Sequence, residues 1–198
     1  MVRSFLAIDL SPEARGLIAS HLKKWRRLPC RIKWVAPENL HITLKFLGDV
    51  SEAAIPLIQE ALKGAVTPLE PMDLNLSGTG AFPVAAKARV LWVGISDSPA
   101  LSRLASAVES ALEPLGFEPE SRPFHPHVTV GRVKERFSVY KKVHPFFDTE
   151  ISGLGFHVSE AVLYRSDLTP GGPVYSPICR FPLNGESAEG ASFPLTRP

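Results

Sequence analysis

The sequence predicts a mixed α+β fold that is built on antiparallel sheets. Helix-like and strand-like patterns mix irregularly along the 198 residues, and several strand-like runs follow one another directly. A doubly wound parallel sheet would instead need a crossover, usually a helix, between consecutive strands. Residues 72–77 alternate apolar and polar side chains, as a half-buried antiparallel strand does. The chain has no glycine-rich phosphate loop, so neither ATP nor a dinucleotide cofactor is indicated.

Strand predictions rest on short apolar or alternating runs that are bounded by turn residues. The first strand is predicted at residues 2–10, a nearly continuous apolar run. Later strands are predicted at residues 72–77, 89–95, 150–158, 161–165 and 175–181.

Helix predictions rest on start signals that are followed by apolar residues at helical spacing. The first helix is predicted to open at Ser11, with Pro12 in its first turn. Two further helices are predicted to open at Ser51 and at Ser98.

The composition indicates one folded domain. The length of 198 residues and a hydrophobic content of 44% are sufficient for a sizeable core. No apolar run approaches the ~20 residues of a membrane helix, and Asp9 comes too early for a secretory signal. Because there are only two cysteines, no disulfide framework is expected and the cytoplasm is the default location.

Basic residues are concentrated in two segments, although the net charge is only +2. Residues 23–33 contain lysine and arginine with no acid, and residues 132–142 contain one acid among several basic residues. Two such clusters are compatible with a phosphate-binding groove or with two solvated surfaces.

One short pattern occurs twice, as HITL at residues 41–44 and as HVTV at residues 127–130. A single histidine and threonine two positions apart is weak evidence of function. Two copies, one in each half of the chain, indicate a shared role. Alternate residues of a strand share a face, so the first copy should place His41, Thr43 and Lys45 on one face and Phe46 on the other.

Two such pairs suit metal-free phosphodiester chemistry. Histidine titrates near pH ~6.5, so one imidazole can act as a base while the other acts as an acid. The threonine hydroxyls can donate hydrogen bonds to an anionic oxygen between them.

The paired motifs resemble the signatures of the two-histidine phosphoesterase superfamily. Within it, the sequence is most similar to the RNA 2′,3′-cyclic phosphodiesterases, also called 2′-5′ RNA ligases. The resemblance is carried by NLHITLKFLG at residues 39–48 and RPFHPHVTVGR at residues 122–132, together with FLAIDL near the start and YRSDLTPGGPVYSPI near the end.

The resemblance implies a fold of two pseudo-symmetric lobes. Each lobe would bring an antiparallel sheet to a central cleft, with helices outside. We accordingly expect one domain over residues 1–183, with halves near 1–95 and 96–183 and strands free to cross over. Residues 184–198 are small, polar and end in proline, and are expected to form a tail.

Carried over by position, the resemblance implies that His41 is the proton donor to the departing 3′-oxygen and that His127 is the proton acceptor that activates water. Thr43 and Thr129 would hold the phosphate, and Arg132 would add a charge-assisted hydrogen bond. Strand parity puts Arg132 on the face opposite His127. We therefore expect Arg132 at the site only if the strand bends or ends just before it.

The implied reaction is hydrolysis of RNA 2′,3′-cyclic phosphate ends to 2′-phosphates, with no metal and no cofactor. The partner would be an RNA end, no membrane would be involved, and a cytoplasmic monomer is expected. Ligation of 2′-5′ ends, or hydrolysis of a small cyclic nucleotide, would use the same reacting centre. A non-catalytic RNA-binding module is a further alternative, but the presence of both histidines and both threonines argues against it.

Other residues are weaker candidates. His125 has the HxH spacing of a metal ligand with His127, but no carboxylate or cysteine cluster lies nearby in the sequence. Lys33 and Lys45 are candidates for contacts with RNA phosphates. Four aromatic residues are candidates either for stacking on a base or for filling the core: Trp34, Phe46, Phe82 and Phe124.

Overall fold

A computed structural model of the protein describes residues 1–135 and 139–185. Residues 186–198, most of the predicted tail, lie outside this range. The two residues that begin the predicted tail are bonded to the rest of the protein. The backbone N–H of Asn184 donates to the carbonyl of Thr67, and that of Gly185 donates to the carbonyl of Leu69.

The described part of the chain contains nine strands and four α-helices. The strands are β1 (Val2–Asp9), β2 (Ile32–Trp34), β3 (His41–Val50), β4 (Met72–Phe82), β5 (Val90–Ile95), β6 (His127–Val133), β7 (Gly155–Val158), β8 (Glu160–Thr169) and β9 (Gly172–Pro182). The helices are α1 (Pro12–Trp25), α2 (Ile55–Val66), α3 (Pro99–Leu112) and α4 (Tyr140–Phe147).

The strands form one antiparallel sheet in the order β7-β4-β5-β6-β3-β1-β8-β9, and β2 pairs with β6 beside this path. The predicted α+β class with antiparallel pairing is therefore confirmed. The sheet has two parts that meet where β6 lies beside β3, at the pairing of Ile42 with Val128. Both of these side chains are completely buried in the core.

The two parts of the sheet draw their strands from both halves of the sequence. One part contains β1 and β3 from the beginning of the chain with β8 and β9 from its end. The other contains β2 and the strands from β4 to β7. The chain thus makes the crossovers that were allowed for, while the division into one domain and a tail stays a prediction.

Two of the predicted helix starts form as expected. The hydroxyls of Ser11 and Ser98 accept hydrogen bonds from the backbone N–H groups of Ala14 and Leu101, each at 3.2 Å. Ser51 makes no such bond. Instead, a 3₁₀ turn over Glu52–Ala54 leads into α2, which begins at Ile55.

Several strand limits differ from the prediction. β4, β8 and β9 extend beyond the predicted runs, because hydrogen bonding to a neighbouring strand continues past the apolar residues that mark each run. The strand predicted at residues 150–158 is confined to β7. None of the helices in the described ranges is long and apolar enough to cross a membrane. The cytoplasmic location and the monomeric state stay predictions.

Candidate active site

The two histidine motifs lie side by side at the centre of the sheet. Ile42 and Val128 face each other there, and both point into the core. His41, Thr43, His127 and Thr129 flank this pair on the opposite face, which we call the cleft face. In this register His41 and His127 are diagonal neighbours, and such neighbours lie about 7–8 Å apart in a regular antiparallel pair.

The backbone holds both histidine rings in the same way. Nδ1 of His41 lies 2.8 Å from the carbonyl oxygen of Asn39, and Nδ1 of His127 lies 2.7 Å from that of His125. A carbonyl oxygen only accepts hydrogen bonds, so each Nδ1 carries a proton and each Nε2 is the atom left to exchange one. The two rings are therefore equivalent in tautomer.

Aromatic rings also pack against each histidine. The centroid of the His41 ring is 4.9 Å from that of Phe5 and 5.4 Å from that of Tyr175. The His127 ring lies edge-on to Phe82 at 5.0 Å, which places this stacking candidate beside the site. These contacts limit the orientations open to both imidazoles.

Burial lowers the pKa of His41, and the nearby His127 lowers it further, whereas the hydrogen bond to Asn39 and the carboxylate of Asp9 act in the opposite direction. Burial also lowers the pKa of His127. The hydrogen bond to the His125 carbonyl opposes this, and the charges of His125 and Arg132 reinforce it. Without a ligand, both imidazoles are therefore biased toward the neutral form.

A β-bulge brings Arg132 onto the cleft face. Thr129 lies opposite Trp92 and Gly131 lies opposite Leu91, so β6 has one extra residue in this interval. The alternation of buried and less buried residues shifts by one position here, because Val130 and Gly131 are both buried and Arg132 is exposed. The strand thus bends just before Arg132, which is the condition that the sequence set for its joining His127 and Thr129.

A matching bulge in β3 overturns two expectations. Thr43 lies opposite Ala7 and Lys45 lies opposite Leu6, so Leu44 is the extra residue. The predicted placement of Lys45 on the cleft face, where it was a candidate for RNA phosphates, is therefore wrong.

The Lys45 side chain is only 3% exposed, and its Nζ donates to Glu109 of α3 and to the carbonyl of Glu118, each at 2.6 Å. Phe46 was expected on the opposite face but lies on the cleft face. It is exposed, with the guanidinium of Arg3 4.7 Å from its ring centroid.

The two basic segments meet at the pairing of β2 with β6. Lys33 lies directly opposite Arg132 in this register and is exposed. One acid lies between the segments: Glu135 accepts from the Lys142 ammonium at 2.6 Å and from the backbone N–H of Arg31 at 2.7 Å. Lys33 and Arg132 therefore extend positive charge along the cleft face away from His127.

The remaining candidates divide between packing and the rim of the site. Trp34 packs against Trp25, and Phe124 is half-buried against the core. His125 lies edge-on to Trp92 at 4.8 Å, beside the His127 ring. Within residues 1–135 and 139–185, no group of three or more His, Cys, Asp or Glu side chains is placed to hold a metal ion.

A cavity of about 480 Å³ adjoins His41 and is lined by polar residues that are not among the candidates predicted from the sequence. These are Asp9, Arg15, Glu38, Asn39, Tyr164 and Tyr175. The only available signal was that Asp9 and the two tyrosines lie within the segments FLAIDL and YRSDLTPGGPVYSPI, which carry part of the family resemblance.

Two imidazoles of the same tautomer, each with a threonine two residues away on the same face of an antiparallel sheet, form an arrangement suited to acid–base chemistry. The family model of the 2′-5′ RNA ligase superfamily matches residues 14–170. The chain belongs to this family, and the resemblance seen in the sequence is confirmed.

Relatives and solved structures agree with this assignment. The protein is 35% identical to an RNA 2′,3′-cyclic phosphodiesterase of Methanothermobacter thermautotrophicus, over 88% of this chain and 95% of the relative. A relative of the same name from Archaeoglobus fulgidus is 36% identical, over 88% of this chain and 96% of that relative. The crystal structure of Escherichia coli LigT complexed with 3′-AMP has a TM-score of 0.75 at 31% identity, over 92% of this chain and 98% of that one.

Proposed function

We propose that the protein hydrolyses RNA 2′,3′-cyclic phosphate ends to 2′-phosphates by acid–base catalysis between its two histidines. The observation that carries this proposal is the pair of imidazoles on one face, each with Nδ1 bonded to a carbonyl and Nε2 free to exchange a proton. The names of the curated relatives, RNA 2′,3′-cyclic phosphodiesterase, support the same reaction.

In the proposed reaction, Nε2 of His127 takes a proton from a water molecule as its oxygen attacks phosphorus. The bond from phosphorus to the 3′-oxygen breaks, and His41 gives its proton to that oxygen. One water is consumed, and the products are a 2′-phosphate and a free 3′-hydroxyl. His41 must therefore be protonated and His127 neutral when the substrate is bound.

The phosphate would be held by three side chains on the cleft face. The hydroxyls of Thr43 and Thr129 would donate to its non-bridging oxygens, because each is two residues from a histidine on the same face. The Arg132 guanidinium would add a charge-assisted bond. The negative phosphate would also favour protonation of His41, which counteracts the effect of burial.

The RNA end is the proposed partner. Lys33, which lies opposite Arg132, would contact a phosphate further along the RNA. E. coli LigT was crystallised with 3′-AMP, which is a nucleotide with a phosphate on its ribose, and this supports a nucleotide end as the ligand of the cleft face.

The test is hydrolysis of an oligonucleotide with a 2′,3′-cyclic phosphate end, in EDTA and without ATP. We expect 2′-phosphate as the product by ³¹P NMR. His41→Ala and His127→Ala should each lower kcat/KM by ~10²- to 10⁴-fold, and the double variant should be little worse than the weaker single one. His157→Ala is the control, because this histidine is exposed on β7 and pairs with Asp73.

A phosphodiester with a p-nitrophenyl leaving group separates the two roles, since this group departs without protonation. It should restore activity to His41→Ala far more than to His127→Ala. Equal restoration of both would show that the roles are wrong, and restoration of His127→Ala alone would show that they are reversed. Activity that is lost in EDTA and regained with one divalent ion would refute the metal-free reaction.

A further inference from the structure

The two histidines are equivalent in tautomer and in backbone support, yet the proposed reaction needs one of them protonated and the other neutral. The sheet contains a difference that separates them. In β1 the residue opposite His41 is Asp9, whereas in β5 the residue opposite His127 is Gly94. The same position of the duplicated arrangement therefore has a carboxylate in one half and no side chain in the other.

The Asp9 carboxylate is fixed in place by Tyr164 of β8. The phenol hydroxyl of Tyr164 lies 2.9 and 2.8 Å from the two carboxylate oxygens, and it can only donate to an ionised acid. The Phe5 ring packs against both Tyr164 and His41, with centroid distances of 5.4 and 4.9 Å. Among the described residues, Asp9 makes no hydrogen bond to the His41 ring, so it acts on that ring through its charge.

The backbone prevents the other half from acquiring a carboxylate at the matching position. A Cβ atom added to Gly94 would lie 2.4 Å from the carbonyl oxygen of Ser77 on β4. That contact is with backbone and could be relieved only by moving the strand. The difference between the two halves is thus built into the pairing of β4 with β5.

The charged and titratable groups around the two rings also differ: carboxylates lie near His41, whereas basic side chains lie near His127. His41 faces Asp9 from β1, Tyr164 from β8, Tyr175 from β9 and His127 from β6, and the cavity beside it adds one basic and one acidic residue, Arg15 of α1 and Glu38. His127 faces His41 from β3, Arg132 on its own strand and His125 before it, with Gly94 opposite.

We propose that Asp9, held by Tyr164, is a positioning residue that keeps the proton on His41 and so makes His41 the acid of the pair. The role of His41 as the acid rests on the proposed function, but the protonation of His41 can be measured without any assay of activity. Burial lowers the pKa of both imidazoles; beyond this shared effect, the Asp9 charge raises the pKa of His41, whereas the charges of His125 and Arg132 lower that of His127.

The direct test is an NMR titration of the imidazole Cε1–H signals in the wild-type protein and in Asp9→Asn. Loss of the carboxylate removes a charge that favours imidazolium. His41 should therefore release its proton at lower pH, by about one pH unit, and the titration of His127 should not change. Tyr164→Phe keeps the carboxylate and should move His41 by less. Asp73→Asn is the control, because Asp73 is exposed on β4 and pairs with His157 of the edge strand β7.

The same variants give a kinetic readout that a purely structural role would not produce. In Asp9→Asn the high-pH limb of kcat/KM on the cyclic phosphate should move to lower pH, and kcat should fall about tenfold near neutrality. Activity on the p-nitrophenyl diester, which needs no acid, should remain within about twofold of wild type.

Each negative outcome is specific. An unchanged His41 titration in Asp9→Asn would refute the inference, even if the wild-type enzyme is active. A raised KM with an unchanged titration would show that Asp9 contacts substrate instead. A wild-type protein that is inactive on cyclic phosphate ends would refute the proposed function, while the NMR titration would still decide what Asp9 does.

Discussion

Replacing Lys45 by methionine should destabilise the protein and leave the chemistry of the folded protein unchanged. Methionine fills much of the same volume but removes the buried ammonium group. The carboxylate of Glu109 and the carbonyl of Glu118 then each lose a hydrogen bond of 2.6 Å. Glu109 would keep its charge without its partner.

The size of the effect follows from the burial of the two groups. Removing one partner of a buried ion pair costs about 3–5 kcal/mol, because the other charge is left uncompensated. The Lys45 side chain is 3% exposed, but that of Glu109 is 22% exposed and can regain some water. We therefore expect a loss near the lower limit, about 3 kcal/mol, which is about 100-fold in the folding equilibrium and ~6–12 °C in Tm.

The measurement is urea and thermal unfolding of Lys45→Met, Glu109→Gln and the double variant. The double variant should be less destabilised than the sum of the two single ones, since it leaves no unpaired charge. Lys33→Met is the matched control, because Lys33 is an exposed lysine on the cleft face. A Lys45→Met protein with wild-type stability and a tenfold higher KM for RNA would refute the reasoning, because that result requires Lys45 to reach the RNA.

Two further predictions concern the groups that are proposed to hold the phosphate. Thr43→Ala and Thr129→Ala should each lower kcat/KM by ~10- to 10³-fold, less than the histidine variants, because each loses one donor and keeps both proton transfers; effects equal to those of His41→Ala would contradict this. Arg132→Ala should lower kcat/KM by about 10- to 100-fold, since a hydrogen bond to a charged group contributes about 1.5–3 kcal/mol. Unchanged kinetics would place Arg132 outside the site.

Much of the site could be predicted because it depends on local patterns. The histidine and threonine of each motif are two residues apart, so strand geometry alone puts them on one face. The serine caps of α1 and α3 likewise depend on a few adjacent residues. These features need no knowledge of which strands pair.

The features that could not be predicted depend on pairing. A bulge adds one residue to one strand, and Leu44 and Val130 are ordinary strand residues that do not mark its position. As a result, the faces assigned to Lys45 and Phe46 were wrong, and so was the face that strand parity alone gives for Arg132. The bond between Asp9 and Tyr164 joins residues 155 positions apart, which no local pattern indicates.

Helix α4 was missed for a different reason. It begins without a side-chain cap and contains Pro145, which ordinarily argues against a helix interior. Its apolar residues Val143 and Phe146 are buried in the core, so tertiary packing stabilises a helix that local sequence signals do not predict.

The meeting of the two parts of the sheet at Ile42 and Val128 has a mechanical consequence. Backbone pairing at one position contributes only about 1 kcal/mol per hydrogen bond. By itself it therefore restrains the relative positions of the two histidines only weakly. Most of the stiffness must come from the two aliphatic side chains beneath, which are packed in the core with no exposed surface. The distance between the two imidazoles therefore depends mainly on how these aliphatic side chains pack in the core. A substitution that loosens this packing should change that distance without touching either histidine.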